Sequence, residues 1–110
     1  MPNELFASRI IAMPKTAEHY ETRAKIMKAL AHPSRLMMVE ALSHGEQCVC
    51  ELTSLVGHDI STVSKHLKIL KEANIVEDER RGKQAYYRLK IPCVMNFFNC
   101  MGSILAQDLK

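Results

Sequence analysis

The stretch VCELTSLVGHDISTVSKHLKILKEANIVEDERRGKQAYYRL, residues 49–89, decides the fold. Its first half predicts two short helices separated by a Gly-His-Asp turn. The first helix spans about 49–56, and the glycine of the turn closes it. Asp59 or Ser61 caps the second helix, whose apolar residues recur at helical spacing as far as about Ala73.

The second half of the same stretch predicts a β-hairpin. Residues that favour strands, at 75–76 and 85–89, flank a polar turn at 81–83 that contains a glycine between two cations. A helix, a turn, a second helix and a basic hairpin, in that order, are typical of a winged helix-turn-helix that reads DNA. The expected fold is therefore mainly α with a small β-hairpin.

Further helices are expected on both sides of this stretch. Residues 16–31 carry apolar side chains three and four positions apart, with Thr16 as the N-cap, and Pro33 begins a helix that stops at Gly45. Residues 92–109 form a last helix. Its apolar stripe comprises Val94, Phe98, Met101, Leu105 and Leu109. A chain of this size cannot easily bury that stripe alone, so 92–109 is predicted to be a dimerisation helix; packing of this helix on the first is the alternative. The helix at 16–31 is assigned to the dimer as well.

Length and composition fit a single domain over residues 1–110. The chain has 110 residues, 47% of them hydrophobic and 25% charged, and a core of that size benefits from a partner subunit. No stretch approaches the roughly 18 apolar residues that span a bilayer, and the first residues lack the pattern of a signal peptide. We therefore expect a cytoplasmic homodimer with no membrane partner, in a compartment that keeps thiols reduced.

Positive charge is concentrated in the second half of the chain. Residues 61–91 contain eight basic and four acidic residues, whereas residues 1–60 contain six basic and seven acidic ones. A segment with this excess of positive charge can bind the phosphates of a nucleic acid. Charge alone is equally consistent with a surface that contacts only water. The candidate DNA-binding residues are Ser61, Thr62, Ser64, Lys65, His66 and Lys68 on the second short helix, and Arg80, Arg81 and Lys83 at the hairpin tip. The short hydroxyl side chains allow close approach to base edges, although Ser61 alone fits a helix cap equally well.

Three segments resemble the ArsR/SmtB family of metal-responsive bacterial repressors and together cover about residues 22–90. LAHPSRLMMVEAL is similar to the family's opening element, CVCELTSLVGHDISTVSKHLKILKEANIV to its metal box, recognition helix and strand, and RRGKQAYYRL to its wing. The segment STVSKHLKILKEANIV is the most specific of these. The resemblance implies a homodimer that holds operator DNA without inducer and releases it when inducer binds.

Cys48 and Cys50 are candidate metal ligands. On a regular helix, residues two apart point about 160° away from each other, so both sulfurs can meet one ion only at an irregular first turn. The pair lies at such a helix start, where the helix dipole favours the thiolate that soft ions require. Resemblance to the family's ELCVCDL box favours ligands over the alternative of two small core residues.

The favoured inducer is trivalent arsenic or antimony, As(III) or Sb(III), bound through cysteine thiolates. The arsenic-sensing box that this sequence resembles has a further cysteine where this chain has Thr53. Because these ions prefer three sulfurs, either a cysteine from elsewhere completes the set or the inducer needs only two, as a mono-organic arsenical does. Cd(II) and Pb(II) are alternatives. Some members of the family that this sequence resembles build a zinc site on the last helix from histidine and carboxylate ligands; here that helix has no histidine and only Asp108 as a carboxylate, so zinc is disfavoured.

Cys93 and Cys100 form a second candidate metal site. They share one helical face but lie about 10.5 Å apart along its axis, so a straight helix cannot hold one ion through both. Cys93 follows Pro92 in the first turn, where binding could unwind the helix and disturb the dimer. A site that mixes both pairs, or a structural role at the interface, remains open.

A different function on the same fold is a thiol redox or reactive-sulfur sensor, in which Cys93 or Cys100 is oxidised or bridged. An enzyme that uses the thiols as nucleophiles is disfavoured, because the sequence has no Cys-His-acid arrangement and no glycine loop to cradle a substrate. The chain is therefore expected to be a regulator and not an enzyme.

Overall fold

The computed structural model describes residues 16–108, which form five α-helices and a three-stranded sheet. The helices are α1 (Ala17–Leu30), α2 (Pro33–Ser43), α3 (Val49–Val56), α4 (Ile60–Glu72) and α5 (Val94–Asp108). The strands are β1 (Gln47–Cys48), β2 (Val76–Arg81) and β3 (Gln84–Leu89). The predicted winged helix-turn-helix is confirmed: α3 and α4 are its two helices, and β2 and β3 are its wing. Leu109 lies outside the described residues.

Side chains and one glycine fix the helix ends. Thr16 caps α1, its hydroxyl oxygen accepting a hydrogen bond from the backbone N–H of His19 at 3.2 Å. Gly57 ends α3 in the left-handed conformation, with φ at 72°, which glycine adopts without steric cost. Asp59, and not Ser61, is the N-cap of α4. Caps therefore determine the angle at which α4 leaves the turn.

The wing is an antiparallel hairpin whose turn lies at Gly82 and Lys83. Arg81 pairs with Gln84 across the turn, and Gly82 takes a left-handed φ of 64°. The third strand, β1, was not predicted from the sequence, because a two-residue strand leaves no periodic pattern. It pairs antiparallel with β3, Cys48 facing Tyr86, and so attaches the start of α3 to the wing.

The core lies between α2, α4 and the base of the wing. Of the apolar face predicted for α4, Val63, Leu67 and Leu70 are fully buried and Ala73 nearly so, whereas Ile69 is exposed. The other fully buried side chains come from α2, α3 and the start of the wing: Met38, Val39, Leu52, Ile75 and Val76. Burial of such side chains contributes about 1.5–3 kcal/mol each and anchors α4 from behind.

The last helix starts two residues later than predicted. Pro92 and Cys93 form the turn before α5, and Val94 is its first residue and its buried contact with the core. Further along α5, Ile104 and Leu105 stay exposed. Between residues 16 and 108, no helix combines the length and apolar character needed to cross a membrane.

Candidate functional site

The N-terminal half of α4 presents a polar surface to solvent. Oδ1 of Asp59 accepts a hydrogen bond from the backbone N–H of Thr62 at 2.8 Å. Hydrogen bonding from Thr62, helped by the nearby charges of His58 and Lys65, holds the pKa of Asp59 below its usual value. Thr62 is half-buried, and the exposed candidates on this helix are Ser61, Ser64, Lys65 and Lys68. The helix start is thus rigid and accessible, which suits entry into a groove of DNA.

His66 lies on the opposite face of α4. Only 9% of it is exposed, because it shares the buried side of the helix with Val63 and Leu70. The Nη1 atom of Arg35 in α2 lies 3.0 Å from Nδ1 of His66. The expectation of an exposed His66 at the DNA surface is therefore wrong: three positions after Val63 and four before Leu70 is a core-facing spacing.

Two of the three predicted tip cations border a groove between the wing, α3 and α4. The groove has a volume of about 410 Å³, and Arg80, Lys83, Ser64 and Cys50 are among the residues that line it. Within the described range 16–108, no carboxylate forms a salt bridge with Arg80 or Lys83, nor with Lys65 on α4. These cations are therefore available to phosphates.

Arg81, the third tip cation, is paired within the chain. Its guanidinium donates to both carboxylate oxygens of Glu46, at 2.7 and 2.8 Å, and to Glu79 at 3.1 Å. Its Cζ atom lies 4.7 Å from the centre of the Tyr86 ring. Arg88 donates to the same two carboxylates and to Glu77. The network ties the segment before β1 to the wing, and its cations hold the pKa values of Glu46 and Glu79 below their usual range.

The sulfur atoms of Cys48 and Cys50 meet at the start of α3, where the structure joins them as a disulfide with their Cα atoms 5.4 Å apart. The expectation that these cysteines stay as free thiols is therefore not met. Cys48 is the N-cap residue, with an extended backbone at φ −82° and ψ 163°, so its side chain does not follow the helical direction of Cys50. The first turn of α3 is thus irregular, as it must be for the two sulfurs to meet.

Cys48 also takes the capping role that serine or threonine usually fills. Its Sγ accepts from the backbone N–H of Glu51 at 3.4 Å, and a carboxylate oxygen of Glu51 accepts from the N–H of Cys48 at 2.8 Å. Cys48 is only 6% exposed, whereas Cys50 is open to solvent with its Sγ 3.9 Å from Oε1 of Gln84 on the wing. The sulfur pair therefore contacts the cap of α3 on one side and the wing on the other.

No third ligand joins this pair within the described part of one chain. Residues 16–108 contain no group of three His, Cys, Asp or Glu side chains that could hold a metal ion. Thr53 occupies the position of the third cysteine in the arsenic-sensing box. Its hydroxyl donates a hydrogen bond to the backbone oxygen of Val49 at 2.8 Å, within α3. A site made of Cys48 and Cys50 alone offers two sulfurs, which fits an arsenical with two exchangeable positions and leaves a three-sulfur pyramid incomplete.

Cys93 and Cys100 are both free and exposed. Cys93 belongs to the turn before α5 and not to its first helical turn, so the two cysteines do not lie on one continuous helix. Neither cysteine is buried within the single chain. Their exposure leaves a role at a subunit interface open and does not assemble a metal site.

An apolar surface accompanies these cysteines on the side of α5. Phe97, Ile104 and Leu105 of α5 are 43–62% exposed, and Tyr20 and Met27 of α1 are each 53% exposed. Clustered exposed apolar side chains on a helix mark an interaction surface, and each of these two helices exposes several. The sequence argued for such a surface from the apolar stripe of the last helix alone; of that stripe Leu105 is exposed, whereas Val94 is buried. Dimerisation through α1 and α5 stays a prediction.

The sequence did not point to Glu46 or Arg35 as members of the site. Glu46 is an acidic residue in a loop, and Arg35 is a single cation on an amphipathic helix, so neither carries a local pattern. Only the tertiary fold brings Glu46 to the wing and Arg35 to α4. Both contacts span more than 30 residues of sequence.

Comparison with known proteins gives consistent results. Residues 32–78 match the family described as bacterial regulatory protein, arsR family. A biofilm growth-associated repressor of Xylella fastidiosa is 36% identical over all of this chain and 98% of its own length. A cadmium resistance transcriptional regulatory protein CadC homolog of Staphylococcus aureus is 37% identical over 60% of this chain and 55% of its own. The fold matches the homodimeric winged helix-turn-helix DNA-binding domain Mb0332 of Mycobacterium bovis, with a TM-score of 0.74 at 29% identity, over 89% of this chain and 93% of that one.

Proposed function

The chain belongs to the ArsR family of bacterial regulatory proteins. We propose that it is a homodimeric transcriptional repressor whose Cys48–Cys50 pair senses a thiophilic inducer. Without inducer, α4 and the wing hold operator DNA in the cytoplasm. Occupation of the two sulfurs releases the DNA. The observation that carries the proposal is the convergence of both sulfurs at the cap of α3, next to the wing.

Binding to double-stranded DNA is supported by the surface that α4 and the wing tip share. Hydroxyl side chains of α4 can approach base edges, while Lys65, Arg80 and Lys83 can neutralise phosphates on either side. Lys68, one helical turn beyond Ser64, can extend the phosphate contacts. The two-fold symmetry of a homodimer would present two such surfaces to a palindromic operator.

The dimer itself is supported by the apolar surface of α1 and α5. Exposed side chains such as Met27, Phe97 and Ile104 would be buried in an interface between two copies. A relative of known fold is described as homodimeric, which favours the same arrangement in this chain. The dimer fixes the distance between the two copies of α4, so it is required for operator binding.

The favoured inducer is arsenite or antimonite. Cellular thiols would first reduce the Cys48–Cys50 disulfide to the dithiol, supplying two electrons and two protons and becoming a disulfide themselves. Two hydroxyl groups of As(OH)₃ would then be exchanged for the two sulfurs: two As–S bonds form, each thiol gives up its proton, and two water molecules leave. The third arsenic position keeps its hydroxyl, and in a mono-organic arsenical it carries the organic group instead. A third thiol, from Cys93 or Cys100, would displace that hydroxyl as a third water molecule. Cd(II) and Pb(II) remain alternative inducers for the same sulfurs.

Release would follow from the two contacts of the sulfur pair. Cys48 caps α3 and pairs with Tyr86 of β3, so a bound ion that draws its sulfur outward disturbs both the cap and the sheet. Cys50 lies against Gln84, so the same ion crowds the wing. A small displacement there changes the angle between α4 and the wing, which DNA binding requires.

A second candidate is a redox sensor, and the disulfide between Cys48 and Cys50 favours it. Oxidation would convert two thiols to one disulfide and transfer two electrons and two protons to a peroxide, which is reduced to water and an alcohol or to two waters. This candidate assigns the switch to the Cys48–Cys50 pair. The sequence had placed oxidation at Cys93 or Cys100.

One titration distinguishes these proposals. The reduced dimer, bound to a duplex selected from a random-sequence library, would be titrated separately with arsenite, antimonite, cadmium, lead, zinc and hydrogen peroxide. Sulfur-to-metal absorption and DNA release would be followed in each titration. Stoichiometric release by arsenite without oxidation of any of the four cysteines supports the first candidate. Release by peroxide alone supports the second, and retention of DNA under every condition contradicts both.

A further inference from the structure

The buried side of α4 carries a polar cluster that DNA recognition as proposed above does not use. Its members come from four elements: His32 from the α1–α2 junction, Ser34 and Arg35 from α2, His58 from the α3–α4 turn, and His66 from α4. The rings of His32 and His66 lie 4.4 Å apart between centres, and those of His58 and His66 lie 6.4 Å apart. Three imidazoles and one guanidinium therefore meet behind the helix that faces DNA.

Arg35 links three helices through this cluster. Its Nε donates to the backbone oxygen of Ala29 at 2.6 Å, in the last turn of α1, where carbonyl groups lack a partner within the helix. Its Nη1 lies 3.0 Å from Nδ1 of His66 on α4. One side chain of α2 therefore holds the end of α1, which we assign to the dimer interface, and the middle of the recognition helix.

The contact with Arg35 requires a particular form of His66. A guanidinium has only N–H donors, so Nδ1 of His66 must accept, and the ring is then neutral with its proton on Nε2. A protonated ring would place a second N–H donor and a second positive charge against Arg35. Burial, together with the neighbouring charges of His32, Arg35 and His58, holds the pKa of His66 below its usual value. The neutral ring is thus the form that the cluster selects.

Two further hydrogen bonds attach the neighbouring histidines to α2. His32 caps α2, its Nδ1 accepting from the backbone N–H of Ser34 at 3.1 Å, and Nε2 of His58 is hydrogen-bonded to the Ser34 hydroxyl at 3.2 Å. The turn before α4 is therefore attached to α2 by the same cluster that holds His66. Among the residues that the structure describes, no carboxylate is hydrogen-bonded to these rings. The Asp59 carboxylate interacts with His58 and can offset a proton there, but the charges that act on His66 are those of His32, Arg35 and His58.

We infer that Arg35 and neutral His66 are a positioning pair, which sets the angle of α4 relative to α1 and α2, and that operator binding is lost when His66 gains a proton. The inference rests on the proposed DNA-binding function. Protonation removes the acceptor at Nδ1 and places a second positive charge against the guanidinium of Arg35, so the contact that holds α4 to α2 is lost. Exposed histidines that gain protons act in the opposite direction, because added positive charge favours DNA.

The test compares DNA affinity across pH for the full-length protein and two variants. The probe is a duplex selected against the wild type from a random library at about pH 7.5. His66→Asn keeps an acceptor oxygen at the position of Nδ1 but does not titrate. His44→Asn is the matched control, because His44 is exposed and lies outside the cluster.

Because the pKa of His66 lies below its usual value, its protonation lowers affinity by less than about tenfold at about pH 5.5. The wild type and His44→Asn should therefore lose affinity by about two- to fivefold between about pH 7.5 and about pH 5.5, whereas His66→Asn should not lose affinity. A His66→Asn profile that follows the wild type overturns the inference. Failure of the wild type to select any duplex at neutral pH instead overturns the proposed function.

A second measurement keeps the inference testable if His66→Asn does not fold. Nitrogen NMR of the wild-type imidazoles at neutral pH should give His66 as the neutral tautomer protonated on Nε2, and its titration midpoint should coincide with the midpoint of affinity loss. Either a ring protonated on Nδ1 at neutral pH or two midpoints that differ by more than about one pH unit would contradict the inference.

Discussion

The two cysteine pairs differ in the backbone conformation that surrounds them. Cys48 and Cys50 are two residues apart, and their sulfurs meet because one is an N-cap in an extended conformation and the other is helical. Cys93 and Cys100 are seven residues apart and both are free, one in a turn and one on α5. The first pair contacts the wing, whereas the second lies beside the exposed apolar surface. Sulfur convergence therefore depends on backbone conformation more than on helical periodicity.

The largest expected effect comes from removing one pair at a time. Inducer is expected to lower operator affinity about 5- to 150-fold, the range typical of allosteric coupling. Cys48→Ser with Cys50→Ser should abolish this change, while Cys93→Ser with Cys100→Ser should preserve it. Both double variants keep side chains of similar size, so they serve as controls for each other. DNA release on arsenite addition, measured by fluorescence anisotropy, checks the prediction. If the first variant still releases DNA and the second does not, the assignments of the two pairs are reversed.

The cations of α4 and the wing tip give the next largest effect. Lys65 forms no salt bridge within residues 16–108, whereas Arg81 is held by Glu46 and Glu79. Lys65→Ala should therefore weaken DNA binding and reduce the slope of affinity against salt by about one unit, as expected for one lost phosphate contact. Arg81→Ala should reduce that slope by clearly less. Affinities at several salt concentrations measure both slopes, and equal losses would mean that Arg81 leaves its carboxylates to bind DNA.

Sequence patterns predicted the elements of the fold more completely than the site. Periodicity and caps placed α3 between Val49 and Val56 and ended it at Gly57, because such signals are local. The exposure of individual side chains on α4 was predicted less well. His66 was assigned to the DNA surface, although its spacing from Val63 and Leu70 is that of a core residue. The pairing of Glu46 with Arg81 was not foreseeable, since no local pattern encodes a contact between a loop and a distant strand.

Stability separates the two members of the first pair. In reducing buffer, Cys48→Ala removes the sulfur that accepts the Glu51 N–H, so it should lower the free energy of unfolding by about 1 kcal/mol, as loss of an N-cap does. Cys50→Ala changes an exposed side chain and should stay within about 0.5 kcal/mol of the wild type. Urea unfolding followed by circular dichroism gives both values. Equal effects would show that Cys48 contributes nothing as a cap.

The smallest expected effect concerns the link between the first pair and the wing. Glu46 precedes β1 and pairs with Arg81 and Arg88, and hydrogen bonds from Arg81 hold its pKa below the usual 4.5. A carboxylate whose pKa is lowered by folding stabilises the protein above its unfolded pKa and loses that contribution as the pH falls through the folded value. Lowering the pH from about 5 to about 3 should therefore lower the unfolding temperature of the wild type more than that of Glu46→Gln.

The Glu46–Arg81 ion pair is exposed, so the difference between the two proteins should be small and should shrink in high salt. Parallel curves in low salt would mean that Glu46 does not fasten the sensor segment to the wing, and the route from Cys48 would then run through β1 alone.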